Sequence, residues 1–306
     1  MTLVQLANFL RIAELRSLSK AAAVVRIAQP ALTRQVRQLE AELGSPLLVR
    51  HAWGVALTPA GEILVAHARR VLREADATRD AVQAASEDPS GRVGLGVPTS
   101  LATTLVPALE AALRVKHPRL RPYFVDGFSA VLHARTVAGN LDMAVLYEDR
   151  AIGPLATAPL LAEALTLVGP PGEKVSETTT AEMLATRRLI VPARPNRLRL
   201  IVDEALAQRA GAGPEMVEVD SLPATIAMAA QGAGFAILPF SAVSEDVALG
   251  RVAVWDLRFP QLSRTLLLAR PQGRQVTVAM AAVELTIREL VRDMASALRW
   301  RPLDLE

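Results

Sequence analysis

Four polar side chains fall at spacings suited to reading nucleic acid: Gln29, Thr33, Arg34 and Arg37, within QPALTRQVRQLEAEL. On a helix, residues three or four apart share a face. A glutamine amide can meet a base edge with a donor and an acceptor together. An arginine fork fits guanine or phosphate, and a threonine hydroxyl can serve either. Leu32, Val36, Leu39 and Leu43 recur at four, three and four residues and form an apolar stripe. One side of such a helix is buried and the polar side stays free. A polar face on an amphipathic helix is ordinarily just solvated, so the surrounding elements must decide.

A second group could bind a small molecule. Pro98-Thr99-Ser100-Leu101 and Gly127-Phe128-Ser129 follow two apolar strand-like runs, Tyr147 closes a third, and Asn196-Arg197 precedes a helical stretch. Ligands of open α/β sheets sit at the carboxyl ends of strands, where helix N-termini offer free N–H groups. Serine and threonine there suit a small carboxylate or another polar effector, with Arg197 or Arg199 as opposing charge. The same hydroxyls equally serve as plain helix caps. Catalytic sets are missing. His51, His67, His117 and His133 have no metal-ligand spacing and the chain has no cysteine. Gly94-Leu95-Gly96 and Gly232-Ala233-Gly234 lack the third glycine of a nucleotide fingerprint. No GxSxG nucleophile elbow occurs.

The elements that must position these groups can be read in order. Leu3, Leu6, Phe9, Leu10 and Ala13 predict a first helix. Ser19–Val25 predicts a second, with Ser19 as N-cap, and a break at Arg26-Ile27-Ala28 leads to Pro30, which a first helical turn tolerates. Two helices with a tight turn, the second polar outward, describe a helix-turn-helix. Gly44 ends the reading helix. Short strand-like runs on either side of Ala52-Trp53-Gly54 predict a hairpin wing, with Trp53 expected to pack. Thr58 and Pro59 start a long helix. Leu57, Gly61, Leu64, Ala68, Val71, Ala75, Thr78 and Val82 form a seam along it that suits pairing with a partner helix. The polar, helix-breaking Ser86–Gly91 predicts a linker. Beyond it, short apolar strands alternate with helices, which argues parallel sheets with helices on both faces, and their number argues two lobes.

Charge follows the same division. The first 58 residues hold seven Arg or Lys, including Lys20 and Arg50, against three Asp or Glu, while the remainder holds 27 against 28. The positive excess lies on the reading module, where a polyanionic partner needs it. An apolar share of 51% supplies real cores. No apolar run reaches membrane-spanning length, and MTLVQLANFLRIAELRS lacks the features of a signal peptide, so a cytoplasmic location is expected.

The run from Ser17 to Arg50, with Ala21-Ala22, Gln29-Pro30-Ala31-Leu32-Thr33-Arg34-Gln35-Val36, Leu39-Glu40, Leu43-Gly44 and Leu47-Leu48, resembles the signature of LysR-type transcriptional regulators. GRVGLGVPTS, LDMAVLYED, LRLIVDEAL and GAGFAILP most resemble the nitrogen-assimilation-control branch of that family. The resemblance implies an α/β protein with three parts. Residues 1–58 would be a winged helix-turn-helix DNA-binding domain and 59–88 a linker and dimerisation helix. Residues 89–306 would form a two-lobed effector-binding domain similar to periplasmic solute-binding proteins. Lobe I would take 91–162 and 266–306, and lobe II 163–265, with crossings near Leu161–Leu165 and Leu262–Thr265. Gln29, Pro30, Thr33 and Arg34 match DNA-reading positions, and Thr99, Ser100 and Ser129 match effector positions. Expected partners are double-stranded DNA, a small-molecule effector, further copies of the chain in a homodimer or homotetramer, and RNA polymerase if the protein activates; no cofactor is expected. Trp53 and Ala56 stand where the family often carries cations at the wing, and Ala28 where it carries Ser or Thr. The rival reading is a solute-binding module without DNA-regulatory activity.

Overall fold

The computed structural model describes residues 1–51, 53–83, 89–148, 153–173, 184, 186–207, 213–257 and 262–303. The expected linker residues Ser86–Asp88 lie outside the described residues. The chain forms two compact units, one built mainly from residues 1–91 and the other mainly from 92–306.

The first unit begins with α1 (Leu3–Leu15), α2 (Leu18–Val25) and α3 (Gln29–Leu43), followed by a hairpin of β1 (Leu48–His51) and β2 (Gly54–Leu57), then α4 (Pro59–Gln83). Ser17, not Ser19, caps α2: its hydroxyl accepts from the Lys20 N–H, and Ser19 is already inside the first turn. Gly44 ends α3 in the left-handed region, while Ala28 at its start provides no side-chain cap. Ile12, Leu18, Ala21, Ala22, Leu32 and Val36 close one core under the helix-turn-helix. Leu6, Phe9, Leu39, Leu47, Leu64 and Ala68 close a second. Each fully buried leucine or phenylalanine contributes about 1.5–3 kcal/mol.

That second core corrects the reading of α4. Leu64 and Ala68 are buried against α1 and α3 of their own unit, so the first half of the seam is not free to face a partner. Gly61 explains the fit. A β-carbon there would lie 2.2 Å from the Leu47 carbonyl oxygen, which belongs to the backbone and cannot yield cheaply. Gly61→Ala should therefore destabilise this unit by about 1–3 kcal/mol. Urea denaturation followed by helical circular dichroism checks it, and an unchanged midpoint would refute the close approach.

In the second unit β3 (Gly91–Pro98), α5 (Thr99–Lys116), β4 (Leu120–Gly127), α6 (Ser129–Val137) and β5 (Met143–Tyr147) lead into the long β6 (Leu155–Gly169). Next come β7 (Leu189–Val191), α7 (Arg197–Ala207), β8 (Met216–Glu218), α8 (Leu222–Ala230) and β9 (Phe235–Pro239). A 3-10 turn (Phe240–Ala242), α9 (Ser244–Ala248), β10 (Ala253–Asp256), β11 (Ser263–Pro271), α10 (Val278–Leu298) and β12 (Trp300–Pro302) complete it. The strand order is β4-β3-β5-β11-β6-β9-β7-β8, with β10 and β12 also on β6.

The sheets are mixed, not parallel throughout. β3 with β5, and β7 with β8 and β9, are parallel, but β6 and β11 run antiparallel to their neighbours. The reason is that both strands carry the chain between lobes. β6 pairs with β11 as far as Ala164 and switches to β9 at Leu165. Leu262 is buried in one lobe's core and Leu266, four residues on, in the other's. Leu101, Leu105, Leu109 and Leu113 bury one stripe of α5 in lobe I, and Leu189, Ile190, Val191 and Phe235 centre lobe II.

Candidate functional site

On α3 the polar groups come together. Gln29, Pro30, Thr33, Arg34 and Arg37 line one depression on the surface of the first unit. All but the partly covered Thr33 are exposed, as is Lys20 on α2. Arg50 belongs to β1, and its side chain lies outside the described residues. The aim of this face is set from behind. Asn8 Nδ2 donates to Gln35 Oε1 at 2.7 Å, and Gln5 Nε2 donates to Gln38 Oε1 at 3.0 Å. Both α1 partners are buried. Sequence reading missed this pairing; two amides inside the stripe of an apolar helix were the available signal, since buried amides need partners.

The hairpin is anchored at its base. Glu40 Oε1 accepts from the N–H groups of Leu47 (2.8 Å) and Leu48 (3.3 Å), and the Val55 N–H donates to the Arg16 carbonyl at 3.0 Å. Gly54 passes under that carbonyl with φ of 140°, a conformation that favours glycine. Trp53 does not pack: it is 98% exposed at the turn.

Within the second unit a cleft of about 440 Å³ opens between the lobes. Thr99, Ser100, Phe128, Ser129 and Tyr147 line it from lobe I, and Asn196 and Arg197 from lobe II. Leu101 does not line it; as the third residue of α5 it turns its side chain into the lobe I core at 1% exposure. Arg199 is likewise excluded. It donates to Asp203 (2.8 Å) and Glu218 (2.6 Å), tying α7 to β8. Asn196 Oδ1 accepts from the Leu198 N–H at 2.9 Å, a capping role beside its place on the cleft wall.

The residue that sequence reading missed is Arg264, on β11 where the chain crosses between lobes. Its Nε and Nη2 meet Glu163 Oε1 at 2.7 Å, its Nη2 donates to Ser100 Oγ at 3.1 Å, and its guanidinium lies 3.8 Å from the Tyr147 ring centroid. Glu163 also accepts from Ser241 Oγ at 3.0 Å. Arg264 and Glu163 face each other in register on β11 and β6. A lone charge beginning an apolar strand, with its acidic partner about a hundred positions away, is invisible to local spacing. Burial pushes the Tyr147 phenol up to about 12, although Arg264 pulls the other way, so it stays protonated.

A separate charge cluster supports lobe II. Partial burial would raise the Asp203 carboxyl, but hydrogen bonds from Arg199 and Arg194 outweigh it and hold the group below the usual carboxylate range. A depressed acid stabilises the fold above its unfolded pKa of about 3.9, and that stabilisation is lost as pH falls through the lower folded value. Asp203→Asn should thus be less stable than the parent at neutral pH, with the gap narrowing below about pH 4. Melting temperatures across a pH series check this; a gap that widens in acid would contradict it.

A helix-turn-helix with a hairpin wing, joined in one chain to a two-lobed α/β domain with a cleft, defines a DNA-binding regulator governed by a ligand. Residues 3–62 match the bacterial regulatory helix-turn-helix protein, lysR family, and residues 86–292 match the LysR substrate binding domain. The chain belongs to the LysR family of transcriptional regulators and is not an enzyme. It is 34% identical to the nitrogen assimilation regulatory protein Nac of Escherichia coli over 97% of this chain and 98% of that one. Among solved structures it is similar to a full-length, singly substituted OxyR from Pseudomonas aeruginosa, with a TM-score of 0.77, 26% identity and coverage of 100% and 99%. CbnR, solved in complex with its target DNA, shares the fold with a TM-score of 0.69 at 23% identity, covering 94% of this chain and 99% of that one.

Proposed function

We propose that α3 reads operator DNA in the major groove, with Gln29, Thr33 and Arg34 discriminating bases and Pro30 setting the approach of the first turn. Arg37, Lys20 and Arg50 hold phosphates, so they set affinity and its salt dependence more than sequence choice. The observation that carries this is the gathering of Gln29, Pro30, Thr33, Arg34 and Arg37 on one exposed face. A small-molecule effector occupies the cleft between the lobes and acts through its different affinity for two arrangements of the oligomer. A gel shift with the chain's own upstream DNA tests the reading. Retardation that weakens steeply with salt and survives excess unrelated duplex is expected; no retardation at low ionic strength overturns it.

The regulator works as a homodimer or a homotetramer in the cytoplasm, needs no cofactor, and meets RNA polymerase if it activates. Among the described residues no helix is long and apolar enough to cross a membrane. Ile63 and Val71 on α4 are 63% and 43% exposed, apolar positions left over after Leu64 and Ala68 enter the core. They suit a partner helix better than water does. Light scattering of Ile63→Asp/Val71→Asp should give a smaller assembly than the parent, and an unchanged mass would remove α4 from the interface.

A further inference from the structure

The cleft walls carry a consistent polarity. Among the described residues three arginines line it, Arg194, Arg197 and Arg264. Their carboxylate partners do not. Asp203 stands 2.7 Å from Arg194, Glu204 3.8 Å from Arg197 and Glu163 2.7 Å from Arg264, all outside the lining. Each ion pair therefore has its arginine, and not its carboxylate, on the cleft wall. Asp220 is the one carboxylate on the wall among the described residues, and its Oδ1 accepts from the Ala193 N–H at 3.0 Å.

The hydroxyls point the same way. Ser129 Oγ accepts from the Tyr147 N–H at 3.3 Å, and Ser100 Oγ accepts from Arg264 and contacts the Tyr147 hydroxyl. Protein donors thus occupy a lone pair on each serine, which leaves the Ser129 proton to be given to a ligand. α5 begins directly at Thr99, and Pro98 before it supplies no side-chain cap, so first-turn N–H groups face the same end of the cleft. Elsewhere the walls are mainly apolar, with Phe128 and Val131 from lobe I and Ile190, Val219 and Leu222 from lobe II beside the polar His133, Ser221 and Thr225.

We propose that the cleft takes a small organic monocarboxylate with a compact apolar body, its acidic group seated at Ser100, Ser129 and Arg264. The inference rests on the cleft being the effector site and names the chemical class that site selects. The apolar walls of the two lobes close on the body, while Arg264, itself fixed by Glu163 on the facing strand, anchors the charge at the crossover. A carboxylate bound there touches Arg264 on one of the two strands that cross between the lobes.

The test is calorimetric titration of the full-length protein with matched sets: phenylpropanoate and 4-methylpentanoate, their neutral amides, the corresponding amines, and acetate. Carboxylates with a body should bind, with amides and acetate at least about tenfold weaker and amines absent. Ser129→Ala and Arg264→Lys, the latter keeping the charge that Glu163 needs, should each cost about fivefold or more for the carboxylates and almost nothing for the amides. Val219→Trp, which fills the cleft from lobe II, should abolish all binding. If amides or amines bind as well as the acids and Val219→Trp blocks them, the anion proposal fails while the cleft remains the effector site. If carboxylates bind undisturbed by Val219→Trp, both readings fail. If no carboxylate binds at millimolar concentration, the proposal is overturned.

Discussion

Glu163→Leu should destabilise the effector-binding unit by about 3–5 kcal/mol, because it leaves the Arg264 guanidinium buried without its counter-charge. The two side chains are only 3% and 6% exposed, so little water reaches the site to replace the lost partner. Ser241 loses its acceptor in the same step. The double variant Glu163→Leu/Arg264→Met should regain most of the loss, since a buried pair exchanged for apolar groups of similar volume is often neutral or better. Urea midpoints of parent, single and double variants measure both effects. A single variant within about 1 kcal/mol of the parent would show that the crossover admits water, and the buried-pair argument would fall.

The second large effect is on operator binding. Arg34→Ala should weaken specific binding by about 1–3 kcal/mol, the scale of one bidentate base contact, and Gln29→Ala by a similar amount. Neither should change melting behaviour appreciably, because both side chains are exposed and neither belongs to the core. Arg37→Ala should instead lower affinity evenly across sequences and reduce the salt slope by about one. Footprinting on operator and on scrambled duplex separates the two behaviours. A footprint unaltered by the Gln29 and Arg34 substitutions would assign base reading to another element.

What was legible in the sequence follows from how local each cause is. The helix-turn-helix could be read because its stripe, its Pro30 and its Gly44 act within one or two turns. The strand-ending hydroxyls Thr99, Ser100 and Ser129 could be read because a sheet's carboxyl end is also a local feature, and all three line the cleft. Leu101 was misplaced because adjacent helix residues point about 100° apart. The antiparallel runs of β6 and β11 were hidden because apolar periodicity carries no direction. Arg264 was hidden for a different reason: its meaning comes entirely from Glu163 and Tyr147, brought beside it by two crossings. Trp53 was read as packed because large aromatics usually are, whereas at the hairpin turn it is exposed.

The paired amides between α1 and α3 carry one last implication. Asn8 with Gln35 and Gln5 with Gln38 work as two bolts, spaced along the interface, that fix the bearing of the reading face. With α3 in its proposed reading role, operator preference is partly written in the first helix. Substitutions at positions 5 and 8 would shift which duplexes are favoured without any of the altered atoms meeting a nucleotide.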